Sequence, residues 1–288
     1  MSDLRPRRSV LYMPAANERA LDKAKGIPAD ALIFDLEDAV APDAKPDARR
    51  NAVAAVLSGE YGNKEITIRC NGLDTQWGHE DLAAAAMANV SAVVIPKINS
   101  VKEVEAVSSA LATAGAPGSM KIWAMIETPT AIFDVRQIAA HPRVQTLVMG
   151  TNDLAKELRA TQVRGRAPLT PHLATALLAA REAGKVILDG VFNDVKDLDA
   201  FRDECIQGAH MGFDGKTLIH PSQVEIANEV WAPTADEVDY AQRVIAAFEE
   251  ATAEGRGVIT VDGRMIENLH VDNARRVLAV QAAIESLN

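Results

Sequence analysis

The chain alternates short apolar segments with longer amphipathic segments as far as residue 216. Most of the short segments are continuously apolar, which is typical of strands buried on both faces of a parallel sheet. The eight segments are RSVLYMP (8–14), ALIFDLED (31–38), EITIRCN (65–71), AVVIPKI (92–98), KIWAMIET (121–128), TLVMGTND (146–153), KVILDGVFN (185–193) and GAHMGFDGK (208–216).

Between these segments lie stretches that predict amphipathic helices, such as ERALDKAKG (18–26) and SVKEVEAVSSALATAG (100–115). Ser100 and Glu103 have the spacing of a capping box at the start of the second stretch. Eight successive strand–helix units predict a TIM (β/α)8 barrel, with a doubly wound open sheet as the alternative. The first strand ends in MPAAN (13–17), not in a G-x-G-x-x-G dinucleotide loop, which favours the barrel.

The remaining residues predict a C-terminal helical extension. Two capping-box sequences indicate two further helices, an apolar stretch indicates a short strand or hairpin, and a final helix follows. These features are SQVE (222–225), TADE (234–237), VITVDGRMI (258–266) and a helix at about residues 271–287. We therefore divide the chain into a barrel domain, residues 1–221, and a C-terminal part, residues 222–288. The second part is too small for an independent core, so we expect a lid packed on the barrel or on a neighbouring subunit.

The predicted strand ends carry many acidic side chains. In TIM barrels the active site lies at the carboxyl ends of the strands, and neighbouring carboxylates need a counter-charge. Mg²⁺, with Mn²⁺ as the alternative ion, suits such oxygen ligands. Glu127 and Asp153, on adjacent strands, are the predicted metal ligands. Glu37 and Asp38 are expected to hold waters around the ion.

Three further residues near these ends are candidates for binding the substrate. Arg69 ends the third strand, and its guanidinium suits a carboxylate or thioester oxygen better than an ammonium group would. Gly150 allows a ligand to approach the backbone closely, and Thr151 follows it at the same strand end.

The same residue types also have structural interpretations. Asp38, Asp81 and Asp189 can anchor turns, flank helices or pair with cations. Lys97 is the candidate for a Schiff-base aldolase, which would need a lysine on a barrel strand. The six histidines lack H-x-x-x-H spacing and the chain has no G-x-S-x-G sequence, which disfavours a zinc hydrolase and a serine hydrolase.

Charge and cysteine content narrow the class of protein further. The formal net charge of −10 disfavours nucleic acid as a partner, because nucleic-acid binding needs a basic surface. Cys70 and Cys205 cannot make a disulfide framework or a paired-cysteine zinc site, so we expect a cytoplasmic protein. No apolar stretch is long enough to span a membrane, and Pro14 interrupts the short apolar run that follows the N-terminal arginines.

The segments together resemble the citrate lyase β-subunit-like (HpcH/HpaI aldolase) family, and within it the enzymes that process malyl-CoA. The resemblance covers almost the whole chain, and the combination of segments is specific although each one alone is weak. The matching segments are RSVLYMPAANERALDKA, ALIFDLEDAV with KPDARR, IRCNGLDTQWGHEDL, VVIPKI, AMIETPTAI, MGTNDLAKEL, MGFDGKTLIHPSQVEIAN and VDGRMIENLHVDNA.

The resemblance implies a TIM barrel with a C-terminal lid, a homotrimer or dimer of trimers, and a Mg²⁺ site on Glu127 and Asp153. It assigns Arg69 to the substrate and to stabilising an enolate. It also implies a CoA thioester near the first two strand–helix loops, where basic side chains would meet its phosphates. Those side chains are Lys23, Lys45, Arg49 and Arg50.

The resemblance further implies a lid that closes over the neighbouring subunit and supplies a carboxylate as acid or base. The lyases of the family usually carry Asp in a GKMID-like lid motif, whereas this chain reads GRMIE with Glu267. The stretch ENLH (267–270) resembles the (3S)-malyl-CoA thioesterase subgroup. We therefore expect a C–C lyase that splits malyl-CoA into glyoxylate and acetyl-CoA, with a thioesterase giving malate and CoA as the alternative. A non-catalytic CoA-binding subunit is disfavoured by the intact Arg69, Glu127 and Asp153.

Overall fold

A computed structural model describes residues 4–253 and 259–287. Within it, eight parallel strands follow one another in chain order and close into a barrel, which confirms the predicted TIM barrel. The strands are β1 (Ser9–Pro14), β2 (Ala31–Asp35), β3 (Glu65–Arg69), β4 (Ala92–Ile95), β5 (Lys121–Ile126), β6 (Val144–Met149), β7 (Val186–Asp189) and β8 (Gly215–Leu218).

Helices follow the strands and cover the outside of the barrel. They are α1 (Glu18–Ala24), α2 (Lys45–Ser58), α3 (Gly78–Ala88), α4 (Val101–Thr113), α5 (Pro129–Ala140), α6 (Thr151–Leu158), α7 (Thr170–Glu182), α8 (Leu198–Met211) and α9 (Val224–Val230). The strands are continuously apolar because one face packs against these helices and the other fills the barrel. The interior is packed with Val10, Ala31, Ile33, Ala92, Val94, Trp123, Met125, Val148 and Leu188, with Tyr12 and Val186 against them.

The barrel closes between β1 and β8, where the backbones approach closely. Ser9 pairs with Lys216 in the register of these strands. A Cβ atom on Gly215 would lie 1.8 Å from the backbone oxygen of Arg7, so only glycine fits at this point.

The eighth strand lies further along the chain than the apolar pattern predicts. Residues 208–211 form the last turn of α8, which ends at Gly212 in a left-handed conformation with a φ of 105°. Apolar residues of a buried helix and of a buried strand look alike over such a short stretch, and the glycine at the helix end separates them.

The contacts of the chain divide it into two compact units. One unit spans residues 7–230, so it includes α9, which the sequence places in the C-terminal part. The predicted cap at Ser222 is wrong, because His220 and Gln223 supply the capping contacts of a short 3-10 helix (Pro221–Gln223) that precedes α9.

The second unit contains the remaining described residues from 231 onward, together with residues 4–6. It consists of α10 (Ala235–Ala253), a hairpin of β9 (Ile259–Val261) and β10 (Arg264–Ile266), and α11 (Asn268–Glu285). The antiparallel pairing confirms the predicted hairpin, and the reciprocal hydrogen bonds of Thr234 and Glu237 confirm the capping box before α10. No helix among residues 4–253 and 259–287 has the length and hydropathy to cross a membrane.

Candidate active site

The site begins with an arginine–carboxylate pair on two neighbouring strands. Asp35 and Arg69 are the last residues of β2 and β3 and are partners in the strand register. Arg69 Nε lies 2.7 Å from Asp35 Oδ1, and Arg69 Nη2 lies 2.6 Å from Asp35 Oδ2. Both side chains are largely buried, so this two-point contact fixes the plane of the guanidinium at the mouth of the barrel.

The loop after β2 brings further carboxylates to the same guanidinium. Arg69 Nη1 lies 3.0 Å from Glu37 Oε2 and 4.0 Å from Asp38 Oδ2. Glu37 is nearly buried whereas Asp38 is 68% exposed. The Asp35 carboxylate accepts hydrogen bonds from the backbone of Glu37 and Ala39, which holds this loop against Arg69.

Burial and charge act in opposite directions on these groups. Burial raises the pKa of Glu37 above its ordinary value, although the charge of Arg69 opposes the rise. Burial alone would lower the pKa of Arg69, but the hydrogen bond and charge of Asp35 raise it instead. Arg69 therefore remains a cation, with its guanidinium carbon 4.8 Å from the centre of the Tyr12 ring.

Glu127 directly follows β5 and is only 2% exposed. Its Oε1 accepts a hydrogen bond of 2.7 Å from the backbone nitrogen of Lys97. Burial, and to a smaller extent the charge of Asp153, raise the pKa of Glu127 to about 7. Burial thus outweighs the hydrogen bond from Lys97 and the charge of Arg69, both of which lower the pKa of Glu127.

The start of α6 faces Glu127 closely. Gly150 precedes this helix, and a Cβ atom there would lie 2.2 Å from Glu127 Oε2. Glycine is thus required for the carboxylate to pack against the helix terminus. Asp153 lies in the first turn of α6 and is partly exposed, while Thr151 is buried in the same turn.

These residues fit a magnesium ion. A buried carboxylate and a partly exposed one lie near enough for the charge of Asp153 to raise the pKa of Glu127. Within residues 4–253 and 259–287, no three His, Cys, Asp or Glu side chains form a metal-binding group. Mg²⁺ ordinarily takes one or two carboxylates and completes its shell with water and substrate oxygens, which agrees with this donor set.

Lys97 contributes to the site mainly through its backbone. It is one of the non-glycine residues with positive φ, at 51°, and this conformation presents its N–H to Glu127. Its side chain is 56% exposed, with Nζ 3.8 Å from Glu37 Oε1. Burial would lower the pKa of Lys97, but the surrounding carboxylates raise it. A Schiff-base lysine needs a neutral amine at working pH, so this environment disfavours that chemistry.

The basic residues expected to meet CoA phosphates differ in their surroundings. Lys45 is buried, and its Nζ donates to the backbone oxygens of Leu36 and Glu37 at 2.8 and 2.9 Å. Arg49 pairs through Nε with Asp81 at 2.8 Å.

Two other basic residues of this set are exposed. Lys23 lies in the last turn of α1, and Arg50 pairs with Asp47 on the surface of α2. Lys45 and Arg49 are thus engaged by the protein itself, which leaves Lys23 and Arg50 as the more accessible cations of the set.

Asp189 and Lys216 belong to a separate cluster on the helix side of the barrel wall. Lys216 Nζ lies 2.9 Å from Asp189 Oδ2 and 2.8 Å from Glu204 Oε1, and Glu204 lies on α8. Arg166 Nη1 contacts the second Asp189 oxygen at 2.7 Å. These charges compensate one another in the protein interior, which supports the structural interpretation of Asp189.

Glu267 lies in the second unit, at the residue before α11. It is exposed, and its backbone nitrogen donates to Nδ1 of His270 at 2.9 Å. The extra helical turn before the predicted start near residue 271 comes from this local contact, which begins α11 at Asn268.

Two cavities lie near the barrel mouth. One of about 340 Å³ is bordered by Glu37 and Lys97 and by the loops after β3 and β4. A larger one of about 710 Å³ lies between the α6–α7 loop and α8, and neither Glu127 nor Asp153 lines it. Glu127 and Asp153 do not line the smaller cavity either, so the two cavities border the site from different sides, through Glu37 and Lys97 in one and through Thr151 in the other.

The sequence pattern missed two groups that shape the site. Asp35 was one acidic strand end among many, and only the β2–β3 register shows that it holds Arg69. Tyr12 lies beneath Arg69. Its inward position could have been predicted, because Val10 and Tyr12 are two residues apart on β1 and therefore lie on the same face of the strand.

Comparison with known proteins identifies the family of this protein. The HpcH/HpaI aldolase/citrate lyase family matches residues 8–221, and the chain belongs to this family. This membership confirms the family indicated by the sequence motifs.

Individual proteins of known name are similar to this chain over almost its whole length. The chain is 50% identical over 279 residues to a (3S)-malyl-CoA thioesterase of Cereibacter sphaeroides, covering 97% of this chain and 96% of the relative. It is 36% identical over 281 residues to citrate lyase subunit beta of Escherichia coli, covering 96% and 93%. The structure of CitE from Mycobacterium tuberculosis with magnesium, acetoacetate and coenzyme A superposes with a TM-score of 0.79 at 28% identity, covering 97% and 100%.

Proposed function

We propose that this protein is a Mg²⁺-dependent enzyme acting on malyl-CoA-type thioesters, with thioester hydrolysis to malate and CoA as its main reaction. The buried Glu127 carboxylate, which lies close enough to Asp153 and Arg69 for their charges to act on it, carries the proposal together with the Arg69–Asp35 pair. The 50% identity to a (3S)-malyl-CoA thioesterase, against 36% to a citrate lyase subunit, favours hydrolysis over C–C cleavage. This reverses the order of the two activities expected from the sequence.

Glu127 and Asp153 would hold the ion, and Mn²⁺ is the alternative for the same oxygen ligands. When bound, the ion supplies positive charge that orients the α-hydroxycarboxylate end of the substrate. The backbone N–H of Lys97 fixes one oxygen of Glu127, so that the carboxylate keeps its orientation. Gly150 leaves the room that this orientation needs.

Arg69 is the group that stabilises developing negative charge. In hydrolysis, water attacks the thioester carbonyl carbon, the C–S bond breaks, and the thiolate of CoA leaves. Charge grows on the carbonyl oxygen before the bond breaks, and a guanidinium held in a fixed plane by Asp35 meets it without reorganisation. We assign to Glu37 the role of accepting the proton of the water, which is supported by its contact with Arg69 and by the rise in its pKa through burial.

C–C cleavage is the second candidate, favoured by the family's citrate lyase members. Here the hydroxyl proton of malyl-CoA is removed, the bond between the hydroxyl-bearing carbon and the methylene breaks, and glyoxylate leaves. The methylene carbon then takes up a proton to give acetyl-CoA. Arg69 would stabilise the enolate oxygen in the same place, so both reactions use one constellation of residues.

The lid is part of the proposal. We assign to Glu267 the role of orienting the attacking water or donating the proton, from one subunit of a trimer to the barrel of the next. Mixed oligomers of Asp153→Ala and Glu267→Ala subunits test this role. In some sites of such a mixture, a barrel with intact Asp153 receives an intact Glu267 from the neighbouring subunit. Partial recovery of activity is expected, whereas mixtures as inactive as each variant alone would contradict action between subunits.

Product analysis decides between the reactions. Purified protein is incubated with (3S)-malyl-CoA and Mg²⁺, and the products are identified by mass spectrometry. Malate and free CoA without glyoxylate are expected. Glyoxylate with acetyl-CoA would establish the lyase instead, and full activity in excess EDTA or in Glu127→Ala would refute the metal site.

A further inference from the structure

Tyr12 forms part of the floor of the candidate site. It lies on the inward face of β1, packed against the residues that fill the barrel. Its ring lies directly beneath the guanidinium of Arg69, with 4.8 Å between the guanidinium carbon and the ring centre. Tyr12 is only partly buried, so the packed residues of the barrel interior do not enclose the side chain completely.

The hydroxyl of Tyr12 reaches across the barrel. Its contact is Met125 Sδ at 4.0 Å, and Met125 lies on β5, the strand opposite β1 in an eight-stranded barrel. Met125 precedes Glu127 by two residues, so the hydroxyl lies one layer below the candidate metal ligand. The phenol therefore spans the distance between the Arg69 side of the site and the Glu127 side.

This hydroxyl is a strong donor matched with a weak acceptor. A thioether sulfur accepts hydrogen bonds poorly, and burying a hydroxyl against it costs free energy that a phenylalanine would not incur. Burial raises the pKa of Tyr12 above its ordinary value, and the charge of Arg69 only partly opposes this. The group therefore keeps its proton at every pH at which the protein works and remains able to donate it to a hydrogen bond.

We propose that the Tyr12 hydroxyl donates a hydrogen bond to the thioester carbonyl oxygen of the bound substrate, beside the guanidinium of Arg69. This role rests on the proposed function. Negative charge grows on that oxygen both in hydrolysis and in C–C cleavage, so the role does not depend on which reaction occurs. Two donors that converge on one oxygen, one charged and one neutral, form an oxyanion-stabilising pair.

The test compares Tyr12→Phe with the wild type and with Met125→Leu, using (3S)-malyl-CoA and Mg²⁺. Tyr12→Phe removes one oxygen atom and leaves the ring beneath Arg69. Losing one donor of this kind lowers kcat by about 10²–10³-fold. We expect that loss in kcat together with a smaller rise in KM and a Tm that does not fall, while Met125→Leu, which removes only the thioether, keeps the wild-type kcat.

A binding measurement tests the contact of Tyr12 with the carbonyl oxygen separately from its effect on turnover. Acetyl-CoA carries it and free CoA does not, so calorimetric titration with each should show that Tyr12→Phe weakens only acetyl-CoA. This comparison remains valid if the substitution reduces stability, because the affinities for acetyl-CoA and for free CoA are compared within the same variant. A kcat within about threefold of the wild type, or equal weakening of both ligands, overturns the role of Tyr12. A wild type that turns over no malyl-CoA overturns the proposed function, and the Tyr12 role with it.

Discussion

The barrel holds an arginine–carboxylate cluster at each end, and β3 contributes to both. At its start, Glu65 accepts two contacts from Arg7, at 2.6 and 2.9 Å. At its end, Arg69 makes the matching two-point contact with Asp35. Each arginine also lies against an aromatic ring, Arg7 at 5.2 Å from Trp123 and Arg69 at 4.8 Å from Tyr12.

The two clusters differ in what completes them. At the amino end, the amide oxygen of Gln145 accepts from Arg7 and from Trp123 Nε1, both at 3.1 Å, so a neutral group closes the cluster. At the carboxyl end, Arg69 meets the additional carboxylates of Glu37 and Asp38, and the second of these is exposed. We therefore expect the closed cluster to serve stability, and we propose that the cluster that is open to a ligand serves chemistry.

The largest effect is expected at the closed end. Arg7→Leu removes the two-point contact with the buried Glu65 carboxylate, and removing one partner of a buried ion pair costs about 3–5 kcal/mol. Urea denaturation should show that loss in the free energy of unfolding. The double variant Arg7→Met with Glu65→Leu is the matched control, because it removes both charges and should recover most of the stability. An unchanged midpoint for Arg7→Leu would show that this pair does not stabilise the barrel.

A change in catalysis is expected at the open end. Arg69→Lys keeps the charge but loses the planar fork that binds Asp35 and the substrate together. We expect kcat to fall by about 10²–10³-fold, with a smaller loss of stability than in Arg7→Leu. Steady-state kinetics with malyl-CoA and thermal melts of the same samples measure both quantities. Near-normal kcat would contradict the role assigned to Arg69.

A third difference between the two ends is expected in how stability depends on pH. The pKa of Glu127 is about 7 in the folded, metal-free protein and near 4.5 in an unfolded chain. A raised carboxyl pKa stabilises the fold below the unfolded value, and this contribution is lost as pH rises from about 4.5 through about 7. In EDTA, the free energy of unfolding should thus fall over this range relative to Glu127→Gln, which cannot titrate. Parallel pH profiles for the two proteins would refute the raised pKa.

Much of the barrel was predictable because one physical cause determines it. Strands covered by helices outside and filled with side chains inside must be apolar along their whole length, and the sequence shows this directly. The eighth segment was placed too early because residues 208–211 are equally suited to the buried end of α8. The change from helix to strand depends on Gly212, whose left-handed conformation has no apolar signature.

The candidate site was predictable in its residue types and less so in its pairings. Glu127 directly follows β5 as predicted, whereas Asp153, predicted at the end of the sixth strand, lies in the first turn of α6, and their role as metal ligands stays a prediction. The pairing of Asp35 with Arg69 depends on the strand register, and the engagement of Lys45 by backbone oxygens depends on the path of a loop. Neither relationship is encoded in local spacing, so they required the three-dimensional structure.

The left-handed backbone at Lys97 has a consequence for mutational studies. Its N–H donates to Glu127 whatever side chain the position carries, so alanine scanning would report only on the ammonium group near Glu37. Proline would remove the donor but cannot adopt the φ of 51°, so it would disturb the loop as well. Replacing the amide by an ester at this one peptide bond would remove the N–H and keep the side chain, so a backbone substitution, rather than a change of side chain, is the way to measure the contact.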